Sequence, residues 1–438
     1  MKSKLLVLLA LAPFFAAAQQ SVPDSIRLTL EQCLETVYSN NYNRQSVALN
    51  EEAREDSYQQ SKQERLPDVS ASLGESYSHS KSSSGTGSGG SNWSGNYSLS
   101  TGVTLFQGGQ IGQTIEKNRL SAEQTVYQTA QYDNQLTIQV LQAFLTALGN
   151  EELLQYQQAV LKASEEQARQ GRLRMEAGDI IESDYLLLEA QYATDRMNVV
   201  ETTLSLQNSY DALKNLMSLD PYYPIKVIYP DESVLEQMGV LPTQDQVLTR
   251  SIESSPDLRI SDYNVEIAET GLRISKSGAY PTVSLSAGIG TGHSNGFSRY
   301  GRQLDNRLNE QVGLTIGIPI FSNGRNKYNV TQSRIALQQA ELERKQTELD
   351  IKQTVIQEYR DVLSAEGKYR SSEIRQSAYL ASFEAYRVQF EEGAITAVEL
   401  LQQQNNYISA TNDYIQNKYG FMLKRKVLDV YMGVPVTM

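Results

Sequence analysis

PDVSASLGESYSHSKSSSGTGSGGSNWSGNYSLSTGVTLFQGG, residues 67–109, decides the fold because the chain uses it twice. It returns as PTVSLSAGIGTGHSNGFSRYGRQLDNRLNEQVGLTIGIPIFSNG, residues 281–324. Each copy starts at a proline and runs through two alternating segments around a polar loop. Each leaves through an aromatic and then glycine: Leu105-Phe106-Gln107-Gly108-Gly109, and Ile320-Phe321-Ser322-Asn323-Gly324. Trp93, Tyr97, Leu99, Val103 and Leu105 share one face of a period-two segment, opposite Ser94, Asn96, Ser98, Ser100, Gly102 and Thr104. Val312, Leu314, Ile316, Ile318 and Ile320 repeat this opposite Gly313, Thr315, Gly317 and Pro319, and Val283, Leu285, Ala287 and Ile289 alternate in the same way. Val69-Ala71-Leu73 is the weakest of the four strands. A soluble sandwich would also alternate, but with charge on its second face. Here that face is small and uncharged, which suits a transmembrane barrel with apolar residues toward lipid and Tyr77, Trp93, Phe106 and Phe321 at the interfaces.

Four strands cannot close a barrel, and an open edge cannot face lipid. The barrel must be shared between chains. With single-chain barrels starting at about eight strands, two, three or four copies would close it.

Outward from the strands, the duplication takes in the helical sequence on both sides of each copy. Thr29 with Gln32 has capping-box spacing, and Thr243 with Gln246 repeats it 214 residues on. The same offset pairs Leu34 with Leu248, Asn50 with Asn264, Ser61-Lys62 with Ser275-Lys276 and Pro67 with Pro281. After one inserted residue the offset is 215: Gly109 matches Gly324, Phe144 matches Tyr359, and Gly178, Ile180 and Leu186 match Gly393, Ile395 and Leu401. Between the strand exits and the next prolines nothing forbids very long helices. Gln110 to about Ala177 is expected to be one helix of roughly 100 Å, with Gly149 and Gly171 as places for a kink. It turns at Glu176-Ala177-Gly178-Asp179, and the second unit turns at Glu391-Glu392-Gly393-Ala394. The short run from Ile225 to Tyr229 reads as strand within a proline-rich crossover.

The expected organisation is a signal peptide at 1–18, helices at 28–66, a membrane β-hairpin at 67–108 and a long helical hairpin at 109–217. A crossover linker at 218–246 follows, then helices at 247–280, a second β-hairpin at 281–323 and a second helical hairpin at 324–432. The leader is read from Lys2 and Lys4, an apolar run to Phe15 and Ala16-Ala17-Ala18, too short to span a membrane. Losing its two lysines takes the net charge from −12 to −14, so nucleic acid is not an expected partner. Mean hydropathy is −0.43, and beyond the leader no run reaches the length of a membrane helix.

Chemistry has no foothold in this sequence. Gly85-Thr86-Gly87-Ser88-Gly89-Gly90 satisfies the dinucleotide string G-x-G-x-x-G, but strand rather than helix follows it. His79 and His293 occupy equivalent positions without nearby acids or thiols, and Cys33 is the only cysteine. No catalytic constellation, cofactor or metal is expected.

The duplicated unit, the exit Gly317-Ile318-Pro319-Ile320-Phe321-Ser322-Asn323-Gly324-Arg325 and the tip segment running from Glu176 to Asp184 resemble the TolC-like outer-membrane efflux proteins of double-membraned bacteria. The resemblance implies a mainly α fold with a membrane β part. Three chains would give a homotrimeric twelve-stranded barrel in outer-membrane lipid, continued by an α-helical tunnel through the periplasm. It implies a passive exit duct of a tripartite efflux or type I secretion system, joined to an inner-membrane pump by a periplasmic adaptor. The adaptor would dock at Gly178, Asp179, Gly393 and Ala394. The family's gate acids map to Asp184 and Glu399, while Gln402 stands where a further acid is usual. Phe390 and Ile395 replace the aromatic and basic residues of the usual lock. Up to six tip carboxylates in a trimer would favour cations. The alternative is a secreted coiled-coil stalk or adhesive protein built on the same long helices.

Overall fold

The structure is a computed structural model that describes residues 26–80, 90–229, 240–295 and 299–436. The expected leader, the glycine string up to Gly89 and the part of the linker at 230–239 lie outside the described residues.

Each unit opens with two short helices separated by a single extended residue. In the first, α1 (Leu30–Asn40) starts at Thr29, whose capping box with Gln32 is formed. Asn41 then breaks the helix and starts α2 (Tyr42–Gln63) by accepting from the Arg44 amide at 3.0 Å. In the second, Thr243 and Gln246 form the box of α5 (Gln244–Ser254), and Ser255 caps α6 (Pro256–Ser277), with proline in the first turn where its missing N–H costs nothing. The two strands β2 (Asp68–Ser80) and β3 (Gly90–Gln107) follow α2, and β5 (Thr282–Ser294) and β6 (Asn309–Gly317) follow α6. Gly109 and Gly324, at φ 82° and 77°, turn the chain from sheet into helix in a left-handed conformation that favours glycine. There α3 (Gln110–Glu176) and α8 (Arg325–Glu391) begin, each 67 residues long. At about 1.5 Å per residue each measures roughly 100 Å. α3 runs unbroken through Gly149 and Gly171. The return helices α4 (Glu182–Leu216) and α9 (Ala397–Tyr431) have 35 residues each. Among the described residues no helix is long and apolar enough to cross a membrane.

The strands form one antiparallel sheet in the order β2-β3-β5-β6. The hairpins have equivalent registers, Asp68 opposite Gly102 and Thr282 opposite Gly317, and β3 joins β5 with Leu99 opposite Ile289. A bulge lies between Thr104 and Phe106. One face carries Leu73, Tyr77, Trp93, Leu99, Leu285, Leu314 and Ile316, all exposed in the single chain, and the other carries serine and glycine. β6 ends at Gly317, earlier than the alternation to Ile320 suggests. Pro319 has no N–H for a ladder and stops the pairing. The loop before β6 contains a helix, α7 (Tyr300–Asn306), where the polar composition indicated only a connection. His293 and His79 are not paired with each other. His293 Nε2 lies 3.1 Å from Glu75 Oε1, reaching across Gly95, and His79 Nδ1 lies 3.2 Å from Ser91 Oγ.

The main core sits where the long helices meet the short ones. Cys33, Val37, Val140, Phe144, Leu148, Leu213, Met217 and Met422 close it, with Ile225 and Val227 of β4 (Ile225–Val227) beneath. β4 pairs in parallel with β1 (Ile26–Leu28). A second, smaller core joins Val247, Val355, Val362, Leu428 and Met432.

Candidate functional site at the helix tips

Both helical hairpins turn through the same closure. Asp179 N donates to Arg174 O at 2.8 Å and Gly178 N to Met175 O at 3.0 Å. Ala394 N and Gly393 N do the same to Gln389 O and Phe390 O, at 2.9 and 3.0 Å. This satisfies the last carbonyls of α3 and α8, and it needs a left-handed residue, supplied by Gly178 at φ 83° and Gly393 at φ 73°. Gly178, Asp179, Gly393 and Ala394 are exposed at the turns.

Beyond the turns the two tips differ. α9 starts with a full capping box: Glu399 N donates to Thr396 Oγ1, while Thr396 N donates to Glu399 Oε2 at 2.9 Å. The Thr396 backbone N–H, aided by its hydroxyl, holds the Glu399 carboxyl below the usual carboxylate range. α4 starts at Ile181, which offers no side-chain cap, and Glu182 and Asp184 stand in its first turn, where acids oppose the positive end of the helix dipole. Asp184 is half-buried; its backbone N bonds to Ile181 O at 3.1 Å. Gln402 is exposed, with its amide 3.4 Å from Asn406 Oδ1.

A small apolar cluster of Ala168, Leu188, Ala397 and Leu401, with Tyr192 and Phe390 against it, brings the two tips together. Asp184 stands one turn before Leu188 and Glu399 between Ala397 and Leu401, so both acids belong to one tip. Arg174 ties the hairpins across it. Its guanidinium donates to Phe390 O at 3.3 Å and lies 5.3 Å from the centre of the Phe390 ring. Arg174 thus caps the end of α8 from α3. Sequence reasoning missed it because its partner lies 216 residues away. The box of Thr396 and Glu399 was visible as T-x-x-E spacing and was overlooked.

Above the tip, α3 and α4 meet through a seam of seven-residue steps. Asn150 Nδ2 donates to Ser209 Oγ at 2.6 Å, Thr202 Oγ1 to Gln157 Oε1 at 2.5 Å, Ser164 faces Asp195, and Gly171 lies under Leu188. Seven-residue spacing is that of a coiled-coil seam. Asp195 is only 2% exposed, bonded by Gln191 at 2.9 Å, and its Oδ2 has no hydrogen-bond partner. Burial pushes its carboxyl above the usual range.

Comparison with known proteins places this architecture. The family described as outer membrane efflux protein matches residues 34–218 and 247–434, the two units in turn. The chain is 21% identical over 408 residues to the outer membrane protein TolC of Vibrio cholerae, covering 89% of this chain and 90% of that one. It is 21% identical over 291 residues to the protease secretion protein PrtF of Dickeya chrysanthemi, 66% of this chain and 62% of PrtF. Among solved structures, CusC superposes with a TM-score of 0.79 at 16% identity, over 94% of this chain and 93% of CusC. The open-state MtrE outer membrane channel of Neisseria gonorrhoeae gives 0.75 at 18% identity, over 92% and 89%. The chain belongs to the outer membrane efflux protein family. It resides in the outer membrane with a helical periplasmic part, and nothing supports the secreted-stalk alternative.

Proposed function

We propose that three copies of this chain form a passive exit duct, with a twelve-stranded barrel in the outer membrane and a helical tunnel that narrows at the tips. The observation that carries this reading is the four-stranded sheet, apolar on one face, small and polar on the other, with β2 and β6 unpaired at its edges. In lipid those edges must be satisfied, and further copies of the same sheet satisfy them. Tyr328, Ile335, Leu342, Leu349, Ile356 and Leu363 support the same reading as a seven-residue stripe along α8 that the chain does not bury.

At the tip, Asp184 and Glu399 from each chain form an acidic constriction that prefers cations. Arg174 on Phe390 holds the two hairpins together in place of the family's usual lock. Gly178, Asp179, Gly393 and Ala394 are the surface for a periplasmic adaptor, through which an inner-membrane pump delivers cargo. Outer-membrane lipid covers the apolar face of the sheet.

Planar-bilayer conductance, with the mass of the detergent-extracted protein measured on the same sample, tests this. A trimer with small, cation-preferring currents is expected. In Glu399→Gln the capping box is kept, because glutamine also closes it, so loss of cation preference isolates the charge. A non-conducting, water-soluble monomer overturns the duct.

A further inference from the structure

The operation that relates the two units inside one chain also specifies the seam between chains. Within the chain, the second strand of unit one pairs with the first strand of unit two: Thr101 opposite Ala287, Tyr97 opposite Thr291, Gly95 opposite His293. Likewise α3 of unit one packs on α6 of unit two. There Gln124 Nε2 donates to Asn264 Oδ1 at 2.6 Å, the Tyr127 and Tyr263 rings lie 5.6 Å apart, and Gln131 bonds Asp257. α6 thus has a long helix on each side, α3 and α8, whereas α2 has only α3. The partners that unit two's second strand and long helix lack are the first strand and α2 of a following unit one.

Resting on the trimer reading, we propose that β6 of one chain pairs with β2 of the next with Ile316 opposite Leu73, while α8 packs on α2 with Leu342 against Leu49. The register follows by adding 215 to the unit-one residue of each internal pair and subtracting 214 from its unit-two partner. Thr101 with Ala287 becomes Ile316 with Leu73, and Tyr97 with Thr291 becomes Val312 with Tyr77. Thr315 then faces Gly74, Gly313 faces Ser76, and Gln311 faces Ser78. From Thr315 to Val312 the faces match, apolar with apolar and polar with small polar, except at Leu314, which the same operation on Leu99 and Ile289 sets opposite Glu75. A slip of one residue would set Ile316 on the serine and glycine face. At the outer end Gly95 with His293 becomes Glu310 with His79, a carboxylate opposite an imidazole.

The helical layer is consistent with the same operation. Gln124 with Asn264 becomes Gln339 with Asn50, the same two residue types, and Gln131 with Asp257 becomes Gln346 with Asn43. The two tyrosines become Leu342 and Leu49, which are 65% and 63% exposed in the single chain. Two large apolar side chains left in water at matching points on α8 and α2 are those that the operation brings together.

Paired cysteines read the register at both levels. Directly opposed strand residues have Cβ atoms about 4.5–5.5 Å apart, so Ile316→Cys with Leu73→Cys is expected to oxidise to covalent dimers and trimers on denaturing gels. Ile316→Cys with Val69→Cys, displaced by roughly 13 Å along the strand, is expected to stay at background. In the helices, a short bismaleimide is expected to link Leu342→Cys with Leu49→Cys and to leave Leu349→Cys with Leu49→Cys, one heptad or about 10 Å away, unlinked. Buried Cys33 stays in place, and single-cysteine variants define the background. The mass in detergent separates the two claims. A trimer in which either matched pair fails, or in which displaced pairs link equally well, overturns the register and leaves the duct; a monomer overturns the duct itself.

Discussion

The helical hairpins α3/α4 and α8/α9 have the same two lengths, the same glycine turn and different seams. Hairpin one is closed mainly by uncharged side chains at seven-residue steps, from Asn150 and Ser209 down to Gly171 and Leu188, with the carboxylate of Asp195 inside and, nearer the base, that of Glu151 accepting from Tyr210 at 3.3 Å. Hairpin two is closed by charge and rings. Lys424 bridges Glu358 and Asp361 at 3.1 and 2.8 Å, Arg375 pairs with Asp413, and Tyr369 sits between Tyr414 and Phe421. At the base, hairpin one is embedded in the main core through Phe144, whereas Tyr359, its counterpart, only flanks the smaller one. Duplicated backbone geometry therefore needs only heptad spacing and the turn glycine; the side chains in the seam are free to diverge. The divergence seats Phe144 of α3 deeper than Tyr359 of α8, while α9 reaches the main core through Met422, and it makes hairpin two the one that salt can loosen.

The largest effect should come from breaking that asymmetry at the base. Phe144→Ala is expected to cost about 3–5 kcal/mol, read as a fall in the thermal midpoint of the helical circular-dichroism signal. Tyr359→Ala should cost less than half as much, and equal losses would show the two hairpins to be anchored alike.

Asp195 is next in size. At the equivalent position hairpin two has Ala410, also buried. Because burial raises the Asp195 pKa in the folded chain, the carboxylate destabilises the fold at neutral pH. The sign is therefore that stability rises as pH falls through the folded pKa and levels off below the unfolded one. Asp195→Asn should add about 1–2 kcal/mol at neutral pH and flatten the pH dependence of the melting midpoint. A variant that melts lower at neutral pH would mean the charge is compensated.

The caps differ by less. Thr396→Ala should cost about 1 kcal/mol, and Ile181→Thr should recover a few tenths for α4, whose start has no side-chain cap. The Glu399 half of the box is worth most above the usual glutamate pKa and is lost as pH falls through its depressed value. Proteolysis at the tips, followed against pH, reads both.

Smallest is the charge seam. Lys424 is partly exposed, and Lys424→Met should change stability by less than about 1 kcal/mol at physiological salt. Its signature is the salt dependence: the wild-type hairpin two should weaken as salt rises, and the variant, which keeps the Arg375–Asp413 pair, should weaken less.

The duplication, the four strands, the two glycine turns and the lipid-compatible face were legible in the residues because each depends on local spacing: period two for a strand, seven residues for a helical seam, a proline or glycine where the backbone must stop or turn. The chain order of these signals was enough to point to the family. Partners far apart in sequence were not legible. β1, three residues long, exists only because Ile225, Lys226 and Val227 lie beside it. Arg174 found the carbonyl of Phe390, and Asp195 became a buried lone acid only when α4 lay against α3. Glu399 read as a gate acid, yet its carboxylate also closes the cap of α9. The periodicity of one segment reports which face is apolar, but what covers that face, and which polar groups are stranded beneath it, depends on the packing of separate elements. Those pairings were decided by the tertiary structure alone.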